Sequence, residues 1–176
     1  AEICAMLADT LEEVGIPRGD YLIRVNNRKV LNGLLASMFA LDGTSSDDLT
    51  MGILRTADKF DKVGVEGVKE LLMKGRRDTS GAFIEGLYLT SLQADRVISF
   101  LLARSENSSK TLENLQHVVG DSKEGLEGVA ELEQIADLLA AQGYGPDRIV
   151  IDPSVVRGLG YYTGPVYEAE LTFEIK

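Results

Sequence analysis

The stretch RGLGYYTGPVYE, residues 157–168, decides how this 176-residue chain is interpreted. Three glycines, an arginine and two adjacent tyrosines join two predicted strands. Glycine permits tight turns and close backbone approach to a ligand, and arginine offers a permanent planar cation for a carboxylate or phosphate. In an extended backbone Tyr161 and Tyr162 would point to opposite faces. We therefore expect one ring to pack inward and the other to lend its hydroxyl to a pocket, although composition alone also allows a plain hairpin with Arg157 paired to a surface carboxylate.

Strand and helix patterns surround this stretch. Residues 148–152 predict a buried strand that ends at Pro153, and residues 166–175 alternate between an apolar and an acidic face, as in an antiparallel strand. The acidic face carries Glu168, Glu170 and Glu174, of which Glu168 is expected to edge the site. Apolar periodicity predicts helices at 1–14, 28–39 and 122–142, with a strand at 21–25. The pattern predicts an α+β core.

The middle of the chain differs from its flanks. It contains no strand pattern, so we interpret residues 43–120 as a small all-helical insertion between two core parts, residues 1–42 and 121–176. The insertion is predicted to begin with a loop at 43–47 and to contain a further loop at 75–86. Its helices are predicted at 47–63, 65–73, 91–103 and 111–119.

Charge and composition exclude several classes of function. The net charge of −10 argues against a general nucleic-acid-binding domain, although a local RNA contact remains open. The densest basic cluster is Arg76-Arg77, near Lys69 and Lys74. Cys4 is the only cysteine and His117 the only histidine, which excludes an internal disulfide and gives no basis for a metal site. No apolar run approaches the roughly 20 residues that cross a bilayer, so we expect no membrane association.

The two ends of the sequence suggest that it is part of something longer. Residue 1 is Ala, and the last predicted strand is still running at Lys176. Because domains usually end in a loop or a docked element, we expect this chain to be an internal piece of a larger protein.

Three segments resemble one known family. RGLGYYTGPVYE closely resembles the histidine-specific motif of histidine–tRNA ligases, which belong to the class II aminoacyl-tRNA synthetases. AEICAMLADTLEEVGI at residues 1–16 resembles the helix after their ATP-binding motif region, and DYLIRVNN at residues 20–27 resembles the strand that follows. The resemblance implies a piece of an antiparallel-sheet catalytic domain interrupted by a helical insertion. Gly160 departs from the family, which usually has Asp there.

The resemblance also implies roles for individual residues. Arg157 matches the catalytic arginine that contacts the histidine carboxylate and the α-phosphate of ATP, and a fixed guanidinium there would stabilise developing charge. Tyr161 and Tyr162 match the tyrosines that line the histidine pocket, with Tyr162 the better candidate for the imidazole. Arg76 and Arg77 become candidate tRNA contacts, because the family's insertion approaches the acceptor arm.

The parent enzyme implied by the resemblance is a cytoplasmic homodimer. It uses ATP with Mg²⁺ to activate L-histidine and transfers the product to tRNA(His). No stretch of this sequence resembles the family's ATP-gripping arginine loop or its C-terminal arginine motif. We therefore expect the isolated chain to bind no cofactor and to have no activity.

Two other interpretations stay open. The first is the synthetase-like regulatory subunit of ATP phosphoribosyltransferase in histidine biosynthesis, which shares the fold without charging tRNA. The complete set of Arg157, Tyr161 and Tyr162 favours the enzyme, since a regulator need not stabilise an adenylate. The second is a free-standing helical interaction module, which would leave the stretch at 157–168 unexplained.

Overall fold

A computed structural model describes residues 1–39, 47–158 and 160–173 of the chain. Residues 43–46 of the loop predicted at 43–47, Leu159, and residues 174–175 of the last predicted strand lie outside these described residues. The helices and strands, in chain order, are α1 (Glu2–Glu13), β1 (Tyr21–Asn27), α2 (Arg28–Phe39), α3 (Asp47–Ala57), α4 (Phe60–Leu72), β2 (Gly75–Arg77), β3 (Phe83–Glu85), α5 (Ser91–Leu101), α6 (Ser108–Val119), α7 (Lys123–Ala141), β4 (Ile149–Ile151) and β5 (Pro165–Leu171).

The main sheet has the strand order β4-β1-β5. Strand β5 runs antiparallel to β1, as predicted, and β4 runs parallel to β1. One face of β1 carries Tyr21, Ile23 and Val25, which are buried in the apolar core. The opposite face carries Arg24 and Asn26, which are also buried. The α+β class predicted from the sequence is confirmed, and the polar face of the sheet is the one that faces the site.

Helices α2 and α7 pack on each other with their backbones in direct contact. A Cβ built on Gly33 of α2 would overlap the Cα of Gly125 of α7, so neither position has room for a larger residue. Lys29 pairs with Glu127 and Glu131 of α7 beside this crossing. Both helices occur where the apolar periodicity predicted them.

The helix predicted at 47–63 is interrupted in the structure. Helix α3 ends at Ala57, and a turn at residues 58–59 precedes α4. The prediction of one continuous helix was wrong, because no glycine or proline marks the break. The turn allows Phe60 to pack against the core instead of following the direction of α3. The predicted break between 63 and 65 does occur, at Gly64, which has φ 68° inside α4.

The stretch at 75–86 contains a hairpin rather than a continuous loop, so the predicted insertion is not entirely helical. Strands β2 and β3 pair antiparallel, with Arg76 opposite Ile84. Asp78 closes the turn by accepting hydrogen bonds from Ser80 and from the backbone N–H of Ala82. No strand pattern is visible here because these strands have three residues each and remain mostly exposed.

Buried residues from the flanks and from the middle of the chain belong to one continuous apolar cluster. Leu34 of α2, Ile53 of α3 and Phe100 of α5 are among its fully buried members. The middle region therefore packs directly on the core elements. The boundaries at residues 42 and 120 stay a prediction.

Candidate functional site

The segment between β4 and β5, residues 152–164, is tied to β1 at its start and to the first residue of α2 at its end. The side chain of Asn26, fully buried, donates from Nδ2 to the carbonyls of Pro153 and Val155 at 3.0 and 2.9 Å. At the other end, the backbone N–H of Arg28 donates to the carbonyl of Gly164 at 3.0 Å. This segment carries the predicted site residues, and these contacts fix where it begins and ends.

The tyrosine pair lies on a turn around Gly158. This glycine has φ +81°, and its carbonyl accepts hydrogen bonds from the N–H groups of both Tyr161 and Tyr162 at 2.8 Å. The two rings meet edge to face with centroids 5.2 Å apart. Tyr161 is 85% exposed and Tyr162 57% exposed. The expectation that one ring packs inward was wrong, because it assumed an extended backbone and the chain turns here.

Arg157 projects from the same turn into solvent. Its side chain is 72% exposed, and its Nε lies 3.6 Å from Oδ1 of Asp58, in the turn between α3 and α4. Glu168 of β5 lines the same shallow cleft as these two residues, and its place at the edge of the active site stays a prediction. An exposed ion pair of this length contributes little stability, so the guanidinium remains available to an anionic ligand.

Gly160 contacts the middle region of the chain. A Cβ at this position would come within 2.9 Å of the terminal methyl of Met51 on α3, and 3.8 Å of Leu54. Since the end of a methionine side chain is flexible, a larger residue would displace Met51 without moving the backbone. Met51 thus occupies the space that a side chain at position 160 would need.

An ion network underlies the segment, and sequence analysis missed it. Its centre, Asp152 and Arg24, is buried, whereas Arg104 and Glu170 are about half exposed. Asp152 accepts hydrogen bonds from Nε of Arg24 at 3.0 Å and from Nη1 of Arg104 at 2.8 Å. Ser154 donates to the same carboxylate from its backbone N–H at 3.0 Å and from Oγ at 2.6 Å. Arg24 also donates to Ser154 Oγ at 2.6 Å and to Glu170 at 3.1 Å.

The charges of this network support one another. Burial alone would raise the pKa of Asp152, but the hydrogen bond from Ser154 and the charge of Arg24 outweigh it and hold the pKa below its usual value. Burial likewise disfavours the charged form of Arg24, yet the carboxylates of Asp152 and Glu170 raise its pKa. A charged residue inside a predicted strand, such as Arg24, was the one available signal, since it needs a buried partner.

The basic cluster is partly neutralised by its neighbours. Arg76 lies 3.5 Å from Glu70 of α4, and Lys69 pairs with Asp95 of α5 at 2.6 Å. Arg77 is exposed and donates to the backbone carbonyl of Gly81 at 2.7 Å. Of the two candidate tRNA contacts, Arg77 therefore offers the more accessible positive charge.

Two further features concern the chain as a whole. Within residues 1–39, 47–158 and 160–173, no group of three or more His, Cys, Asp or Glu side chains is placed to hold a metal ion. His117 lies on the exposed face of α6. None of the helices in this described part has both the length and the apolar character needed to span a bilayer.

Comparison with solved structures identifies the class of fold. The crystal structure of histidyl-tRNA synthetase from Nostoc sp. PCC 7120 superposes with a TM-score of 0.75 at 27% identity, over 97% of this chain and 36% of that one. An ATP phosphoribosyltransferase regulatory subunit/histidyl-tRNA synthetase from Bacillus halodurans gives a TM-score of 0.69 at 17% identity, over 97% and 38%. The second likeness concerns the fold alone. The architecture is that of an α+β piece of a class II synthetase.

Sequence comparison identifies the family. Residues 1–170 match the family model described as Histidyl-tRNA synthetase, and the chain belongs to that family. It is 66% identical over 175 residues to the histidine–tRNA ligase of Ruegeria pomeroyi, covering 99% of this chain and 34% of the relative. The corresponding enzyme of Dinoroseobacter shibae is 61% identical over 179 residues, covering 100% and 36%. This chain thus spans about a third of the length of the curated relatives that it matches.

Proposed function

We propose that this chain is part of a histidine–tRNA ligase that activates L-histidine with ATP and transfers it to tRNA(His). The observation that carries the proposal is the exposed set of Arg157, Tyr161 and Tyr162 on one turn, in a chain of the histidyl-tRNA synthetase family. A cation and two hydroxyl-bearing rings match the carboxylate and the imidazole of histidine. We place the protein in the cytoplasm, as a homodimer with the rest of its chain.

Arg157 is proposed to contact the substrate carboxylate and the phosphate with which it reacts. Its partner Asp58 is 44% exposed and lies 3.6 Å away, so a ligand carboxylate can replace it at small cost. A guanidinium forms two parallel hydrogen bonds to a carboxylate, which fixes orientation as well as charge. This supports assigning Arg157 a catalytic role in histidine activation.

Tyr162 is the preferred contact for the imidazole. Its ring packs against Gly158, where an added Cβ would come within 3.0 Å of Cδ2 of the ring. Tyr161 lies at its edge and is more exposed, so it has fewer restraints. A phenolic hydroxyl both donates and accepts, as recognition of a neutral imidazole requires.

The cleft around Arg157 does not by itself fit the triphosphate of ATP. Its lining includes three carboxylates, from Asp58, Asp61 and Glu168, beside a single guanidinium. Such a balance repels a polyanion. ATP and its Mg²⁺ therefore need residues from the rest of the protein, and we expect the isolated chain to have no histidine-dependent ATP–pyrophosphate exchange above a buffer control.

The hairpin of β2 and β3 is proposed to contact tRNA phosphates through Arg76 and Arg77. Reversing both charges in the intact enzyme should raise the KM for tRNA(His) and leave histidine-dependent pyrophosphate exchange unchanged, because phosphate contacts position the nucleic acid. Since Arg76 is already paired with Glu70, Arg77→Glu alone should account for most of the effect. An unchanged KM would mean that the hairpin is a solvated surface.

The experiment that tests the proposed function uses the intact protein. Purified protein should catalyse pyrophosphate exchange with histidine and charge tRNA(His), and should do neither with the other standard amino acids. A protein that binds histidine but catalyses neither step would instead be a synthetase-like regulatory subunit, the interpretation to which the fold alone also corresponds.

A further inference from the structure

We propose that Asp152 is a positioning residue for Arg157. It acts indirectly, through the ion network that fixes residues 153–156, the stretch that leads to Arg157. The inference rests on the proposed function for its catalytic readout. It assigns to Asp152, with Arg24, Arg104 and Ser154, the task of fixing the start of the segment that carries the catalytic guanidinium.

The carboxylate of Asp152 is fully engaged and almost inaccessible. Its side chain is 3% exposed. One oxygen accepts from the N–H and the Oγ of Ser154, and the other accepts from Arg24 and Arg104. A carboxylate has about four acceptor positions, and the network fills them. The orientation of the carboxylate is therefore set both by Arg24 of the sheet and by Ser154, two residues further along the chain.

The network reaches to within three residues of Arg157. Arg24 holds Ser154 directly through Nη2, and Asn26 holds the carbonyls of Pro153 and Val155. Val155 and Val156 are buried. The chain is anchored up to this point and emerges into solvent only at Arg157. The anchored stretch therefore sets where the backbone of Arg157 leaves the core, and with it the region that the guanidinium can reach.

Arg104 connects this anchor to the middle region of the chain. It follows α5, and its guanidinium approaches the same carboxylate oxygen as Arg24 does. The carboxylate of Asp152 thus contacts both strand β1, through Arg24, and the chain that follows α5, through Arg104. The position of Arg157 accordingly depends on how the helices of the middle region dock on the sheet.

A buried ion network is better suited to fix a position than to add stability. Its desolvation cost offsets most of its Coulombic gain. Its directional hydrogen bonds nevertheless fix the course of the backbone, and catalysis demands that a functional group be placed to within about 0.5 Å. This explains why charged residues, rather than apolar ones, lie beneath the segment.

The first part of the test measures order in the segment. In the intact protein, Asp152→Asn should speed amide hydrogen exchange of peptides covering residues 153–164 about tenfold, with other peptides unchanged. Glu170→Gln is the matched control, because Glu170 contacts the same guanidinium of Arg24 from β5 without touching the segment. Ser154→Ala serves as a second variant if Asp152→Asn does not fold. Unchanged exchange in the segment would overturn the proposal.

The second part asks whether Asp152 acts through Arg157. Asp152→Asn should lower kcat for histidine-dependent pyrophosphate exchange by about 10- to 100-fold, as expected for a small misplacement. In an Arg157→Ala background it should lower kcat no further. Independent, multiplicative losses in the double variant would mean that Asp152 only stabilises the fold, and would overturn the proposal. If the wild-type protein shows no pyrophosphate exchange, the proposed function fails, and hydrogen exchange alone decides the positioning role.

Discussion

Residues 152–156 and the motif tip formed by Arg157, Tyr161 and Tyr162 follow one another in the chain but are held in opposite ways. The first stretch is mostly buried, with its polar groups paired to Arg24, Asn26 and Arg104. The tip side chains are exposed, and their contacts are a 3.6 Å ion pair and an edge-to-face ring pair. The difference separates two tasks. Residues 152–156 and the side chains that pair with them, which together form the anchor, fix the backbone that leads to Arg157. The exposed tip remains free to bind a ligand.

The largest effect on stability should come from removing the centre of the anchor. Asp152→Ala leaves Arg24 buried without its main partner, and breaking a buried pair in this way costs about 3 to 5 kcal/mol of the free energy of unfolding. Arg157→Ala should leave the urea midpoint of the intact protein unchanged, because its ion pair is exposed. Equal losses for the two variants would remove the distinction between anchor and tip.

Acid should weaken the anchor by protonating Asp152. Because the folded pKa of Asp152 lies below the unfolded value of about 3.9, its contribution is present above that pH and is lost as the pH falls through the folded pKa. Urea midpoints of wild type and Asp152→Asn should therefore differ most at neutral pH and converge below about pH 4. A difference that stays constant down to pH 3 would mean that the carboxylate charge is not what stabilises the anchor.

A smaller effect, confined to substrate binding, should come from the tip. Tyr162→Phe removes one hydroxyl and should raise the KM for histidine about tenfold, the equivalent of one hydrogen bond. Tyr161→Phe, on the more exposed ring, is the matched comparison and should change KM less. Neither variant should shift the melting temperature. A larger effect at Tyr161 would reverse the assignment of the imidazole contact.

The same comparison explains which features the sequence could predict. The helices α1, α2 and α7 and the strands β1 and β5 follow local periodicity, so residues a few positions apart suffice to predict them. The residues of the motif tip could be singled out as candidates because their types occur together in one short stretch. Neither depends on distant parts of the chain.

The anchor could not be predicted in the same way, because its partners are far apart in sequence. Arg24 and Asp152 are separated by 128 positions, and Arg104 comes from a third part of the chain. No periodicity links them. The orientation of the two tyrosines was mispredicted for a different reason, since it follows from the positive φ of Gly158. The β2–β3 hairpin was not predicted, because mostly exposed strands of three residues show no apolar alternation.

The most direct measurement is histidine-dependent pyrophosphate exchange by the intact protein, comparing wild type with Arg157→Ala and Arg157→Lys. Arg157→Ala should lower kcat by about 100- to 1,000-fold with an unchanged melting temperature, because a preorganised charge at the reacting group is lost. Arg157→Lys should restore part of the rate, since it keeps the charge without the planar fork. An Arg157→Ala enzyme that exchanges pyrophosphate at the wild-type rate would contradict the account, because the exposed tip would then carry no chemistry.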